Sequence, residues 1–281
     1  MKAQAPQYPI SDLCAAFKVS RSGYYAWLNR PPSPRQNADV ELGAHLCRVH
    51  AQSRQTYGTP RLLQALRQQG QRTSQRRVRR LMRQHNLRTQ RPRRFVPRTT
   101  DSRHDQPIAP NWLAAIPRPT GPDQQWVTDI TYVRTGENWL YVAAVMDRWS
   151  RRIVGLAMAE HMESTLVERA LQQALDRRQP ARGCLHHSDR GSQYASADYR
   201  QLLTTNGLTA SMSRAGNCYD NAAMESFWGK LKTELVYRQH FATRQLARLA
   251  IFEYVEVFYN RVRLHSALGF KSPVDFEQQL N

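Results

Sequence analysis

The chain contains no run of eighteen or more apolar residues, which excludes a helix that spans a membrane. Its start, Met1 to Ile10, is polar and holds no apolar signal core, so the protein is expected in the cytoplasm, on the nucleoid. Cysteine is scarce as well. Four residues, at positions 14, 47, 184 and 218, form no Cys-x-x-Cys pair and no Cys/His set with zinc-finger spacing. They are expected to be reduced thiols, mostly filling core positions. His186 and His187 are adjacent, so on a strand they face opposite sides and cannot share one metal ion by that route. Acid is the other shortage, with 22 Asp and Glu against 41 Lys and Arg in 281 residues.

That imbalance is a formal charge of +19, and it is unevenly spread. Residues 1–105 hold 21 Lys and Arg but only 5 Asp and Glu, whereas residues 106–281 hold 20 and 17. A surplus of fixed cations points to a polyanion partner, because cations beside phosphates release condensed counterions. The first part is therefore read as a nucleic-acid grip. The second is nearly balanced, as an enzymatic core with its own carboxylates would be. With 41% hydrophobic residues, a packed core is available.

Composition divides the chain at 1–35, 37–90, 91–122, 123–240 and 241–281. In the first segment, Ile10 to Phe17 has helical apolar spacing with Ser11 as an N-cap, and Ser20 caps a second helix through Leu28. Two short helices with a tight connection suggest a helix-turn-helix. Pro31-Pro32-Ser33-Pro34 reads as a linker. In the second segment helices are expected over Val40 to Val49, over Pro60 to Gln69 with Gly70 as the stop, and from a Ser74 cap to about Asn86. On the last of these Arg76, Arg79, Arg80 and Arg83 share a face and Arg77 lies beside them. Such a face repels itself unless phosphates or carboxylates offset it, and it is assigned to DNA over a solvated basic surface. A linker rich in proline between Pro92 and Pro122, with Arg91, Arg93 and Arg94, is expected to be extended and to track a DNA backbone.

The third part reads as β-β-β-α-β-α-β-α. Strands are expected over Gln125 to Val133, Leu140 to Met146 and Ile153 to Met158, the first two joined as a hairpin through Thr135-Gly136-Glu137-Asn138. A helix capped by Ser164 and running to about Arg178, a strand over Cys184 to Ser188, a helix over Ala197 to Asn206, a strand near Leu208 to Ser211 and a helix from about Asn221 follow. This order suits a mixed sheet with helices on both faces. A further helix from about Thr243 to Tyr259 is expected to pack through Leu246, Leu249, Ala250 and Val257.

Within this part Asp129 lies mid-strand, where an acid is costly unless paired, solvated or metal-bound. Asp189 follows a strand directly, and strand ends at the carboxyl edge of an α/β sheet are where sites gather. Glu225 lies on the last core helix, with Lys232 two turns on and on the same face. Three carboxylates from two strands and a helix suit a hard divalent ion, and two such ions would serve an in-line phosphoryl transfer with Lys232 on a nearby phosphate. Spacing alone leaves plainer readings open: a hydrogen-bonded strand acid for Asp129, a turn residue for Asp189, a surface helix acid for Glu225. Asp147, Asp220 and Glu234 are read in those plainer terms.

The wording around the acids is more specific. Trp126-Val127-Thr128-Asp129-Ile130-Thr131-Tyr132, His186-His187-Ser188-Asp189-Arg190-Gly191-Ser192-Gln193-Tyr194 and the run from Ser211-Met212-Ser213-Arg214 through Met224-Glu225-Ser226-Phe227 closely resemble the integrase-core transposases of bacterial insertion sequences, of the OrfB type of the IS-three family. Tyr57-Gly58, Val78-Arg79-Arg80-Leu81-Met82, Tyr259-Asn260-Arg261 with Arg263 and His265, and Ser272-Pro273 extend the resemblance over nearly the whole chain. It implies an α/β fold with a ribonuclease-H-like mixed-sheet core behind small all-α regions. It implies Asp129, Asp189 and Glu225 as metal ligands, Mg²⁺ or Mn²⁺ as two ions, and strand cleavage and 3′-OH transfer at the terminal inverted repeats of a mobile element. Double-stranded DNA, both element ends and target, is then the partner of a homo-oligomer assembled on it. The leucine-zipper segment expected upstream in the frameshift-fused protein is not in this chain, so multimerisation and end recognition are expected to draw on the upstream OrfA product.

Other residues keep two readings. Gly191 to Tyr194 form either a tight loop under the substrate backbone or a turn before the next helix. Ser213 to Cys218, with Arg214, are either a loop that orders on DNA or a plain surface loop. His187 orients a carboxylate, contacts DNA or simply packs, and Trp228 is expected in the core. Arg261 and Arg263 touch DNA or cap a helix. Two rivals remain at this level: a metal-dependent nuclease that cuts without joining, and a non-catalytic DNA-binding regulator.

Overall fold

A computed structural model describes residues 1–89, 105–214 and 221–280. Its centre is a mixed five-stranded sheet in the order β3-β2-β1-β4-β5. Strands β1 (Gln125–Thr135), β2 (Asn138–Asp147) and β3 (Ile153–Ala159) form an antiparallel meander, while β4 (Leu185–Ser188) and β5 (Thr209–Met212) add in parallel beside β1. Six successive residues of β2, Val142 to Asp147, are buried, because both faces of the sheet are covered. On one face lies α6 (Ser164–Arg178), which buries Leu166, Ala170, Leu171 and Ala174. Gly155 of β3 allows this approach, since a Cβ there would lie 2.0 Å from the carbonyl oxygen of Ala170. Ser164 is the first helical residue of α6 and not its cap; Glu163 holds the cap position without a side-chain hydrogen bond. Otherwise the expected order of elements is observed, with one short extra helix, α7 (Ser192–Ala195), ahead of α8 (Ala197–Thr205).

The amino-terminal part is helical: α1 (Ile10–Ala16), α2 (Arg21–Leu28), α3 (Pro34–Gln52), α4 (Thr59–Gln68) and α5 (Gln75–Gln84). Local chemistry explains the helix starts. Ser20 and Ser74 accept from the backbone of Gly23 and Arg77, caps worth about 1 kcal/mol each. No side chain caps α1, whose cap position is Pro9 and not Ser11. Helix α3 begins six residues before the expected Val40, so the proline-rich break is shorter than its composition suggests. Ser33 and Gln36 form a reciprocal capping box there, and Pro34 sits in the tolerated first turn. Of the expected linker, residues 91–104, with Arg91, Arg93 and Arg94, lie outside the described residues; residues 105–122 are not simply extended, because a 3₁₀ turn at Trp112–Ala114 buries Leu113 and the Trp112 N–H donates to the Ser211 hydroxyl.

Helices α3 to α5 bury Leu46, Leu62, Leu66, Val78 and Leu81 in a core continuous with that of the sheet domain. Tyr57 ties the two parts by donating from its hydroxyl to the carbonyl of Val262 and accepting from the N–H of Leu264.

Helix α9 (Ala222–Glu234) packs on β1. The carboxy-terminal helix α10 (Arg244–Glu253) runs into a π-helical turn, Tyr254–Tyr259. Its packing face differs from the expected one. Leu246, Leu249 and Val257 are 52%, 57% and 51% exposed, while Ala247, Ile251, Tyr254, Val255 and Phe258 are buried. The buried stripe keeps ordinary three- and four-residue helical spacing, but it lies on a different side of the helix from Leu246 and Leu249. Asn260 then exchanges two side-chain hydrogen bonds with the backbone of Ile153, which pins this segment to β3. The last helix, α11 (Pro273–Glu277), is capped by Ser272.

Candidate active site

The pairing of β1 with β4 sets the site. These neighbouring parallel strands are in register with Val127 opposite His187. Asp129 and Asp189 each lie two residues beyond that pair, so they come side by side where β4 ends, with Asp129 in the middle of the longer β1. Both are half-buried. Asp129 accepts from the N–H of Ile130 at 2.8 Å and from the indole N–H of Trp228 at 3.1 Å. Asp189 accepts from the N–H of Gly191 at 2.9 Å. Burial, and then the neighbouring charge of Asp189, push the Asp129 carboxyl up to about 7, against the two hydrogen bonds and with a smaller contribution from Glu225.

Helix α9 supplies the third side of the site. The side chain of Asn221 donates to the carbonyl of Thr128 at 3.0 Å and ties the start of the helix to β1. Glu225, Trp228 and Lys232 follow at three- and four-residue spacing, hence on one face. Glu225 is exposed, and partial loss of solvent raises its carboxyl above the ordinary value. The Lys232 Nζ lies 5.4 Å from the centroid of the Tyr132 ring; burial lowers its ammonium, and the charge of Asp129 partly restores it. Asp129 and Asp189 are thus adjacent, with Glu225 on the facing helix. Among the described residues no three His, Cys, Asp or Glu side chains converge closely enough to hold one ion as they stand. The donor set still fits a hard cation in kind: all its ligating atoms are carboxylate oxygens, and the charge crowding at Asp129 is what such a cation would relieve.

The sequence places Trp228 only in the core, and the structure gives it a second role. It is buried, and it also orients Asp129. Its three-residue spacing from Glu225 was the available signal. Gly191 is the turn before a helix: its N–H donates to Asp189 and its carbonyl starts α7. His186 and His187 are packed strand residues. His186 bonds the Tyr199 hydroxyl at 2.7 Å and burial pushes its imidazole down to about 3; His187 bonds Ser211 at 2.9 Å. Asp147 ends β2 and holds the turn that follows, accepting from the N–H groups of Asp123 and Ser150.

The cationic candidates divide. Arg76, Arg79 and Arg83 of α5 are exposed, as are Arg214 and Arg261. Arg77 and Arg80 are paired with Asp39 of α3 at 2.7 and 2.6 Å, so one carboxylate already offsets part of that face. Arg91, Arg93 and Arg94 lie outside the described residues. Arg263 is a correction. It is 1% exposed and bonded through two nitrogens to Glu234, at 2.5 and 2.8 Å. Its guanidinium is therefore committed to Glu234, its counter-ion, and is not an exposed DNA contact.

The chain matches known proteins over most of its length. Models described as an integrase core domain match residues 119–218 and 225–280, and one described as an HTH-like domain matches residues 37–95. Among curated relatives, the insertion element IS600 uncharacterized 31 kDa protein of Shigella sonnei is 46% identical over 267 residues, covering 95% of this chain and 98% of the relative. The transposase InsF for insertion sequence IS3A of Escherichia coli (strain K12) is 40% identical over 275 residues, covering 97% and 95%. Among solved structures the chain is similar to a simian T-cell lymphotropic virus intasome in complex with PP2A regulatory subunit B56 gamma, with a TM-score of 0.49 and 16% identity, over 83% of this chain and 74% of that one. No helix among the described residues is long and apolar enough to cross a membrane. The chain belongs to the integrase-core transposases of IS3-type insertion sequences, enzymes that cut and join DNA.

Proposed function

We propose that the acidic edge of the sheet is the active centre of a polynucleotidyl transferase in which Asp129, Asp189 and Glu225 hold two divalent ions, Mg²⁺ or Mn²⁺. The observation that carries this reading is the side-by-side position of Asp129, within β1, and Asp189, directly after the parallel neighbour β4, faced by the Glu225 helix. When bound, the ions would lower the cost of charge on the attacking and leaving oxygens of an in-line displacement. The residues of the chain do the rest. Trp228 and the Ile130 N–H keep the Asp129 carboxylate turned to the site, and the Gly191 N–H does the same for Asp189. Lys232 takes a phosphate oxygen. Glu225 closes the site from α9 when a strand is in place.

Water attacks a phosphorus at the element end, the bond to the 3′ oxygen breaks, and a 3′-hydroxyl is freed. That hydroxyl then attacks a second phosphodiester, releasing another 3′ oxygen and joining the strands. Each step exchanges one P–O bond for another, so no covalent enzyme–DNA intermediate is required. The exposed arginines Arg76, Arg79 and Arg83, with Arg214 and Arg261, grip the terminal inverted repeats and the target, and Arg77 and Arg80 join them where phosphate displaces Asp39. Homo-oligomers assembled on DNA, aided by the upstream OrfA product, bring two ends together.

The test is an assay with a labelled element end and a target plasmid in Mg²⁺. Joined products are expected. Cleaved ends without joined products would leave a nuclease in place of a transferase.

A further inference from the structure

Helix α9 has a second functional face. Ser226 and Lys230 lie roughly 100° and 140° around the helix from Glu225, counting 100° per residue. They line two adjoining hollows, of about 440 and 250 Å³, between α9, the start of α4 and the segment 259–267. Both hollows are lined by Arg61, Lys230 and Arg263, and the smaller also by Arg151 and His265. Glu234 is the sole carboxylate among the described lining residues, and Arg263 already occupies both its oxygens. Arg61, Arg151 and Lys230 form no ion pair among the described residues, and three cations without an acid share one partly desolvated space. Lys230 shows the strain: burial, then the charges of Arg263, Arg61 and Arg151, push its ammonium down to about 8 against the pull of Glu234. A set of neutral donors points the same way. The start of α4 at Gly58 lines the larger hollow with no side-chain cap, leaving first-turn N–H groups for an anion.

We propose that this cation-lined recess is a phosphate-binding site that seats a backbone phosphate of the DNA strand running past the acidic edge. The inference rests on the reading of that edge as the active centre and extends it to a second contact on the same helix. Lys230 is about 7.5 Å along the helix axis from Glu225. A strand advances about 3.4 Å of axis per phosphate, so the recess falls within a few nucleotides of the reacting group. Because the recess is shared by α4 and α9, an occupant would lock the helical region against the core.

The experiment uses the full chain with Lys230→Gln, Arg151→Gln and the double variant. Binding to an element-end duplex is measured without divalent ions, so that failure of the chemistry cannot enter. The slope of log affinity against log salt is expected to fall by about 1 for each variant, since one phosphate contact contributes about 0.9. Lys230→Arg is expected to keep the wild-type slope, and it controls for folding together with the thermal midpoint. A second arm adds inorganic pyrophosphate, which is expected to raise the wild-type midpoint but not that of the double variant. Lost pyrophosphate stabilisation with an unchanged slope would overturn DNA as the occupant. No change in either arm would overturn the site itself. Strand joining that fails only in Asp129→Asn, with slopes intact, bears on the active centre and not on the recess.

Discussion

The indole N–H of Trp228 on α9 donates to the Oδ2 of Asp129 on β1 at 3.1 Å, joining the helix to the strand at the point where their acids must cooperate. Trp228→Phe keeps most of the packing and removes this bond. Since the bond favours the charged carboxylate, its loss raises the Asp129 carboxyl further. The expected outcome is a 10- to 100-fold loss of joining, roughly what removal of a group that orients a metal ligand costs. The rising limb of the pH–rate profile should also move to higher pH. A lower rate with an unmoved profile would mean that Trp228 only packs.

Asp129 also predicts a pH dependence of stability in metal-free protein. Its carboxyl is raised from 3.8 to about 7, so between those values the folded state holds a proton that the unfolded state has released. Folding stability from this group therefore falls as pH rises through that window. Asp129→Asn removes the effect, and the variant should exceed wild type at pH 8 by on the order of 2 kcal/mol, with the gap closing toward pH 4. Urea unfolding in chelator across that range measures it. Mg²⁺ at pH 8 should stabilise wild type and leave the variant unchanged.

Arg263 and the exposed arginines of α5 should separate cleanly. Arg263→Met strands the Glu234 carboxylate in the interior, a loss of about 3–5 kcal/mol. The double change Arg263→Met with Glu234→Gln should recover part of it. Salt dependence of DNA binding by the folded single variant should match wild type; a shallower slope would return Arg263 to the DNA surface.

For Arg76, Arg79 and Arg83 the reverse holds. Each change to Gln should leave the unfolding midpoint within about half a kcal/mol, as surface substitutions do. Each should flatten the salt slope of DNA binding by about 1. Arg77→Gln and Arg80→Gln should affect the slope less, because Asp39 offsets them in the free protein.

What was legible beforehand was local. Ser20 and Ser74 announce their helices because a cap is a bond between residues three apart, and the β1–β2 turn is written in four consecutive residues. The motif strings around Asp129, Asp189 and Glu225 identified the family. What was illegible was long-range. An arginine near a helix end looks the same whether it meets phosphate or Glu234, which lies 29 residues earlier in the chain. Asp39 reaches Arg77 and Arg80 across about forty residues. The buried face of α10 is set by its contacts with β1 and β2, which leave Leu246 and Leu249 in solvent although they are as apolar as Ile251. The recess beside Lys230 needs three distant segments to meet, which no local pattern announces.

The most direct test of the account is strand joining by Asp129→Asn, Asp189→Asn and Glu225→Gln, each measured beside its own affinity for the element end. The account predicts that all three variants bind the end with near wild-type affinity and yield no cleaved or joined product in Mg²⁺ or Mn²⁺. Undiminished joining by any of them, Glu225→Gln above all, would contradict it.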